Sequence, residues 1–143
     1  MKEQILNALK YLGFEVEDLD DAGYHFQYEG INYLYMYNDN DENFLDLAIP
    51  AVHDIDETNE LDCYRMMNSI NSTLKYVKAY SLENSIWLYY ERELSGDEDL
   101  NNLLTHMILS LHGTYSFFAG ISSDSDDNPT DSEADAIIVD NAD

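Results

Sequence analysis

The stretch Ile31–Ile49, INYLYMYNDNDENFLDLAI, admits two readings, and the choice between them decides the fold. Asp39, Asp41 and Asn43 stand at alternate positions, as the first ligands of an EF-hand calcium loop do. Such a loop needs a glycine at its sixth position and a bidentate glutamate at its twelfth. Counted from Asp39, those positions hold Phe44 and Pro50. The flanks are wrong as well: Ile31–Tyr37 and Phe44–Ile49 alternate with the period of two that marks strands, where an EF-hand has helices. Asn and Asp tolerate turn dihedrals and bond their own backbone, so Asn38–Asn43 reads as a hairpin loop. A count from Asp124 meets Pro129 at the glycine position. No specific calcium site is expected, and Pro50 should end the second strand or push it to a sheet edge.

Upstream, Tyr24, Phe26 and Tyr28 alternate with His25, Gln27 and Glu29, and Gly30 supplies a turn into Ile31. Phe14–Glu17 is a short strand or an extended connection. Before it, Ile5, Leu6, Leu9 and Leu12 follow helical spacing over Glu3–Leu12, with Gly13 at the stop position. Downstream, Thr58 is a candidate cap for a helix running to about Leu74, with Leu61, Cys63, Met67, Ile70 and Leu74 as its apolar stripe. Tyr76–Leu82 and Ile86–Leu94 form a hairpin around Glu83-Asn84-Ser85. Ser95-Gly-Asp-Glu98 reads as a capping box opening the last helix. Leu100, Leu103, Leu104, Met107, Ile108, Leu111 and Tyr115 form that helix's wide apolar face. The predicted fold is α+β: an antiparallel sheet with helices packed on it, in the order helix, strands, helix, hairpin, helix.

The domain so defined spans residues 1–121. Ser122–Asp143 carries eight acids, no base and no aromatic residue, which reads as a disordered acidic tail. Within it Ala136–Val139 is a short β-prone run that could dock on a sheet edge. Thirty acids oppose six bases, a net charge of −24. That field repels nucleic acid and anionic membrane, which argues against direct contact with either, and suits a basic protein partner. No apolar run approaches bilayer length, the N-terminus has no continuous apolar core of the kind a signal peptide needs, and Cys63 is alone. A cytoplasmic location is expected.

The segment from Met66 to Phe118, MMNSINSTLKYVKAYSLENSIWLYYERELSGDEDLNNLLTHMILSLHGTYSFF, resembles the bacterial YbjN-like family, through Asn68 and Asn71, the hairpin ending in YYEREL, and the amphipathic last helix. With the N-terminal helix and strands in the same order, the resemblance covers roughly residues 1–118. It implies the fold of type III secretion chaperones and a binding module, often dimeric, without an established active site. Family members are called sensory-transduction regulators or chaperone-like proteins.

Chemistry is sparse. His106 and His112 lie six apart on one helix, pointing about 240° apart, so they cannot chelate one ion from it. There is no H-E-x-x-H, no cysteine pair and no P-loop, so no catalytic residue, metal or cofactor is expected. Cys63 reads as a packing residue, because no local feature lowers its pKa. Close carboxylate pairs arise by chance among thirty acids and diagnose nothing. The distinctive feature is tyrosine, twelve of them plus Trp87. In Ile31–Tyr37, Leu34 and Met36 share one side while Tyr33, Tyr35 and Tyr37 share the other. In the hairpin, Ile86, Leu88 and Tyr90 oppose Trp87 and Tyr89. Tyr33, Tyr35, Tyr37, Trp87 and Tyr89 are therefore the candidate protein-binding residues, on an aromatic sheet face left open by an aliphatic core face. The function expected is a non-enzymatic protein-binding module, chaperone-like or regulatory, with a homodimer as one form of assembly. The alternative is an acidic nucleic-acid mimic that blocks a DNA-binding protein.

Overall fold

A computed structural model describes residues 1–123, with side chains to Gly120. The acidic segment read as a tail lies outside the described residues apart from Ser122 and Ser123, which close the last helix; Ala136–Val139 lies outside them entirely.

Helix α1 (Lys2–Tyr11) leads into a six-stranded sheet of β1 (Glu17–Asp18), β2 (Tyr24–Tyr28), β3 (Ile31–Tyr35), β4 (Phe44–Asp54), β5 (Lys78–Leu82) and β6 (Ser85–Glu93). Helix α2 (Glu60–Thr73) precedes β5, and α3 (Leu100–Ser123) follows β6. Every pairing is antiparallel, in the spatial order β1-β2-β3-β4-β6-β5. The α+β class and the order of elements are as the sequence predicted.

Asn38–Asn43 does connect two antiparallel strands: the Asn38 side chain accepts from the Asn40 amide at 2.9 Å, folding Asp39–Asp41 into one tight turn. Glu29–Gly30 and Glu83–Asn84 have positive φ at both residues, the geometry of two-residue turns whose twist matches the strands they join. The second turn excludes Ser85, which pairs with Leu82 as the first residue of β6.

Pro50 neither ends β4 nor lies at an edge. Strand β4 runs on to Asp54 between β3 and β6, absorbing Pro50 in a bulge between Ile49 and His53 where Ala51 takes φ +48°. The missing amide is tolerated because β3 pairs with β4 only at Leu34–Ala48 and Tyr35–Leu47, leaving a cleft between Ile31–Asn32 and Pro50–Val52.

Two helix starts also differ from expectation. Asp56, rather than Thr58, organises the entry to α2, accepting from the Thr58 amide at 2.8 Å and from the Asn59 amide at 3.2 Å. The Glu98 carboxylate accepts from the Ser95 and Gly96 amides, so the expected capping box closes a loop; Asp99 then caps α3 through the Asn102 amide at 3.2 Å. These amides and the Ser95 hydroxyl hold the Glu98 carboxyl down to a pKa of about 2.

All three helices pack against one face of the sheet, where Ile5, Leu9, Cys63, Ile70, Leu104, Met107 and Leu111 join Phe26, Tyr33, Tyr35, Leu47, Ile49, Leu88 and Tyr90 in a single core. Asn71 on α2 fastens edge strand β5: its amide donates to the Ala79 carbonyl at 2.9 Å and accepts from the Ala79 amide at 2.7 Å. The outward hydrogen-bonding groups of Ala79 are thereby closed to strand addition.

Candidate functional site

Register, rather than hydropathy, assigns the two sheet faces. Tyr24, Tyr35, Leu47 and Tyr90 pair in one row across four strands, under the helices. The adjacent row, Glu17–His25–Leu34–Ala48–Tyr89–Lys78, crosses all six strands and points to the opposite side. Leu34, Ala48 and Tyr89 are buried there, yet they stand outside the helix-packed core. Among the described residues this face carries no helix.

The expected row of accessible tyrosines is therefore corrected. Tyr33 and Tyr35 are 0% and 1% exposed and belong to the helix-packed core. Tyr33 stacks on Phe26, and its hydroxyl approaches His112 Nδ1 at 3.4 Å and donates to the Ile108 carbonyl at 3.5 Å. Burial raises the pKa of both phenols. Tyr37 is half-buried on the same covered side, with the Lys2 ammonium 5.0 Å from its ring centre. The physical reason is that β3 is buried on both sides. Alternation separates Leu34 from its tyrosine neighbours but does not say which side the helices take.

In β6 the expected division holds: Ile86, Leu88 and Tyr90 lie in the core while Trp87 and Tyr89 face away from it. Tyr89 is itself only 2% exposed, because Tyr80 of β5 lies over it with parallel rings 4.0 Å apart and Trp87 flanks it at 6.0 Å. The accessible part of this stack is half-buried Trp87 and Tyr80, which is 40% exposed. Tyr80 was missing from the sequence-derived set. Counting outward from a two-residue turn puts it opposite Trp87, whereas the longer turn assumed from sequence shifts that register.

Beside this stack, Asp46 and Glu91 stand directly opposite each other on β4 and β6. Lys78 Nζ contacts Glu91 at 2.7 Å and reaches over the Tyr80 ring at 5.8 Å. Asp46 Oδ1 is buried with no hydrogen-bond partner among the described residues. Burial, reinforced by the Glu91 charge, raises the Asp46 carboxyl to a pKa of about 7. A carboxyl whose pKa is raised by folding gives stability that is fully present below its unfolded pKa of about 4 and is lost as pH rises through about 7. Asp46→Asn removes that loss. Relative to wild type, the variant should gain on the order of 2 kcal/mol between pH 5 and pH 8, below the full linkage value because Asp46 is partly solvated. Urea unfolding at the two pH values reads the difference directly; equal shifts at both would contradict it.

The remaining candidates are placed apart. His106 lies edge-on to Tyr76, and His112 edge-on to Tyr28, on different sides of α3. No three metal-ligating side chains come together among the described residues. Cys63 is buried, and burial raises its thiol pKa. No helix among the described residues is long and apolar enough to cross a membrane.

Residues 2–110 match the YbjN family, described as "Putative bacterial sensory transduction regulator". No curated protein sequence matches this one. Among solved structures the chain is similar to the crystal structure of YbjN from E. coli, described as "a putative transcription regulator". The two share 11% sequence identity with a TM-score of 0.62, over 87% of this chain and 93% of that one. At that identity the likeness establishes a common fold, of three helices against a six-stranded antiparallel sheet. The family match takes in α1, the whole sheet, α2 and the first half of α3, and the chain belongs to the YbjN family.

Proposed function

We propose that this protein is a regulatory, non-enzymatic binding module whose contact surface is the sheet face that carries no helix among the described residues. The observation that carries the reading is the pairing of Trp87 and Tyr80 over Tyr89 on a face that three helices leave uncovered. Rigid aromatic side chains held in place by stacking give large contact area with little entropy to lose on docking, which is why such residues dominate interfaces. The family's description as sensory-transduction regulators supports the regulatory half of the reading. The E. coli relative is described as a transcription regulator; a net charge of −24 opposes direct contact of this chain with DNA, so regulation would run through a protein. A nucleic-acid mimic would need carboxylates ranked over one surface. Here Asp46, Glu91 and Glu17 stand among aromatic and aliphatic side chains of the open face.

Two aromatic truncations test the assignment. Trp87→Ala should reduce recovery of a partner from host extract at least ten-fold, while Tyr11→Ala, on the exposed side of α1, should leave it unchanged. Both should unfold within about 1 kcal/mol of wild type, since neither opens a core cavity. Equal recovery by the two variants would overturn the assignment.

A further inference from the structure

We propose that the partner presents an arginine or lysine side chain to Asp46, set in an apolar segment that covers Trp87 and Tyr80, and that this cation displaces a proton held by the Asp46–Glu91 pair. The inference rests on the open face being the docking surface, and it names the chemistry of what docks there. Two carboxylates face each other across β4 and β6, and among the described residues one cation, Lys78, serves them by contacting Glu91. Among the described residues Asp46 Oδ1 has no hydrogen-bond partner in its desolvated position, while Asp46 as a whole remains partly accessible. Among the described residues Tyr89 on β6 is the further titratable group close to Asp46, and the neighbouring positions Leu34 and Met36 carry no charge. Burial and the facing Glu91 charge outweigh the attraction of Lys78, so in the free protein Asp46 carries a proton about half the time at neutral pH. A guanidinium suits the position best, because its planar fork can serve two carboxylates while its face lies against an aromatic ring. A second copy of the chain is disfavoured as occupant, since it brings the same net charge of −24.

Binding should therefore release a proton and tighten as pH rises. With Asp46 titrating near pH 7, affinity for a cationic segment is expected to be roughly five- to ten-fold higher at pH 8 than at pH 6. The test uses the full-length protein, isotopically labelled, and a short peptide of valine and leucine around one central arginine. Its counterpart carries citrulline, which keeps the shape and loses the charge. The arginine peptide should shift the Trp87 indole and Ala48 amide signals with that pH dependence; the citrulline peptide should bind more weakly and without it. Asp46→Asn should erase the difference between the peptides, and Glu91→Gln, a second variant should the first fail to fold, should at least halve it. Equal binding of both peptides at this face would overturn the cation inference and leave the docking surface standing. Shifts confined to the acidic loops, or no shift at millimolar peptide, would overturn both.

Discussion

Tyr33→Ala should destabilise the protein by about 3–5 kcal/mol, whereas Trp87→Ala should change stability by less than about 1 kcal/mol. The two residues were equivalent in the sequence, each an aromatic at an alternating strand position. The structure separates them. Tyr33 has no exposed surface, stacks on Phe26 at 5.3 Å and meets Tyr28 edge-on. Its truncation leaves a void between β3 and α3 that neither the sheet nor the helix can close without losing other contacts. Against a total of roughly 5–15 kcal/mol for a domain of this kind, the loss is a large fraction and should lower the melting temperature by about 10–20 °C. Tyr33→Phe isolates the hydroxyl. Its hydrogen bonds are long, 3.4 and 3.5 Å, so that variant should lose no more than about 1 kcal/mol. Thermal unfolding of the three variants side by side checks the ordering. A Trp87→Ala loss equal to that of Tyr33→Ala would mean that Trp87 is core.

Gly23→Ala should be nearly as damaging, for a backbone reason. Gly23 links the tight turn Asp20–Ala22 to β2 with φ +99° and ψ −150°, a region that residues with a Cβ essentially do not enter. A Cβ built there would lie 2.6 Å from the Tyr35 carbonyl oxygen, a backbone atom fixed in the sheet and unable to withdraw as a side-chain tip could. The dihedral strain alone is of order 1–3 kcal/mol, and relieving the overlap must displace the start of β2 or the end of β3. A loss of at least about 3 kcal/mol is expected in urea unfolding. Gly13→Ala is the internal control. It shares φ +99°, but a Cβ there meets nothing within 4 Å, so it bears the dihedral penalty without the overlap. Equal losses at the two positions would refute the role assigned to the close approach at Gly23.

The contrast between α3 and β3 shows what the sequence could convey. In α3 the apolar residues from Leu100 to Tyr115 form one stripe opposite polar positions, so the buried side is legible from spacing alone. In β3 the residues Tyr33, Leu34 and Tyr35 are all buried, two against helices and one within the open face. Tyrosine is also amphipathic, so alternation gave the aliphatic side to the core, and the cross-strand row Tyr24–Tyr35–Leu47–Tyr90 reverses that choice. Pro50 misled for a related reason: the edge rule assumes a neighbour on both sides, and β3 diverges before it reaches Pro50. The Asp46–Glu91 pair was invisible because its members are far apart in sequence and become neighbours only through β4–β6 pairing. Trp87 and Tyr89 were found because β6 is a long strand with a clear division between its sides.

Site-directed photo-crosslinking in the host cell tests most directly whether the open sheet face is where this protein meets its partner. A photoreactive residue is placed at Trp87, at Tyr80, and, on the helical side, at Leu109 and Tyr11, the last two being exposed. The docking reading predicts one discrete crosslinked protein, shared by positions 87 and 80 and absent from 109 and 11. Adducts from 109 or 11, with none from 87 and 80, would place the contact on the helical side and contradict it.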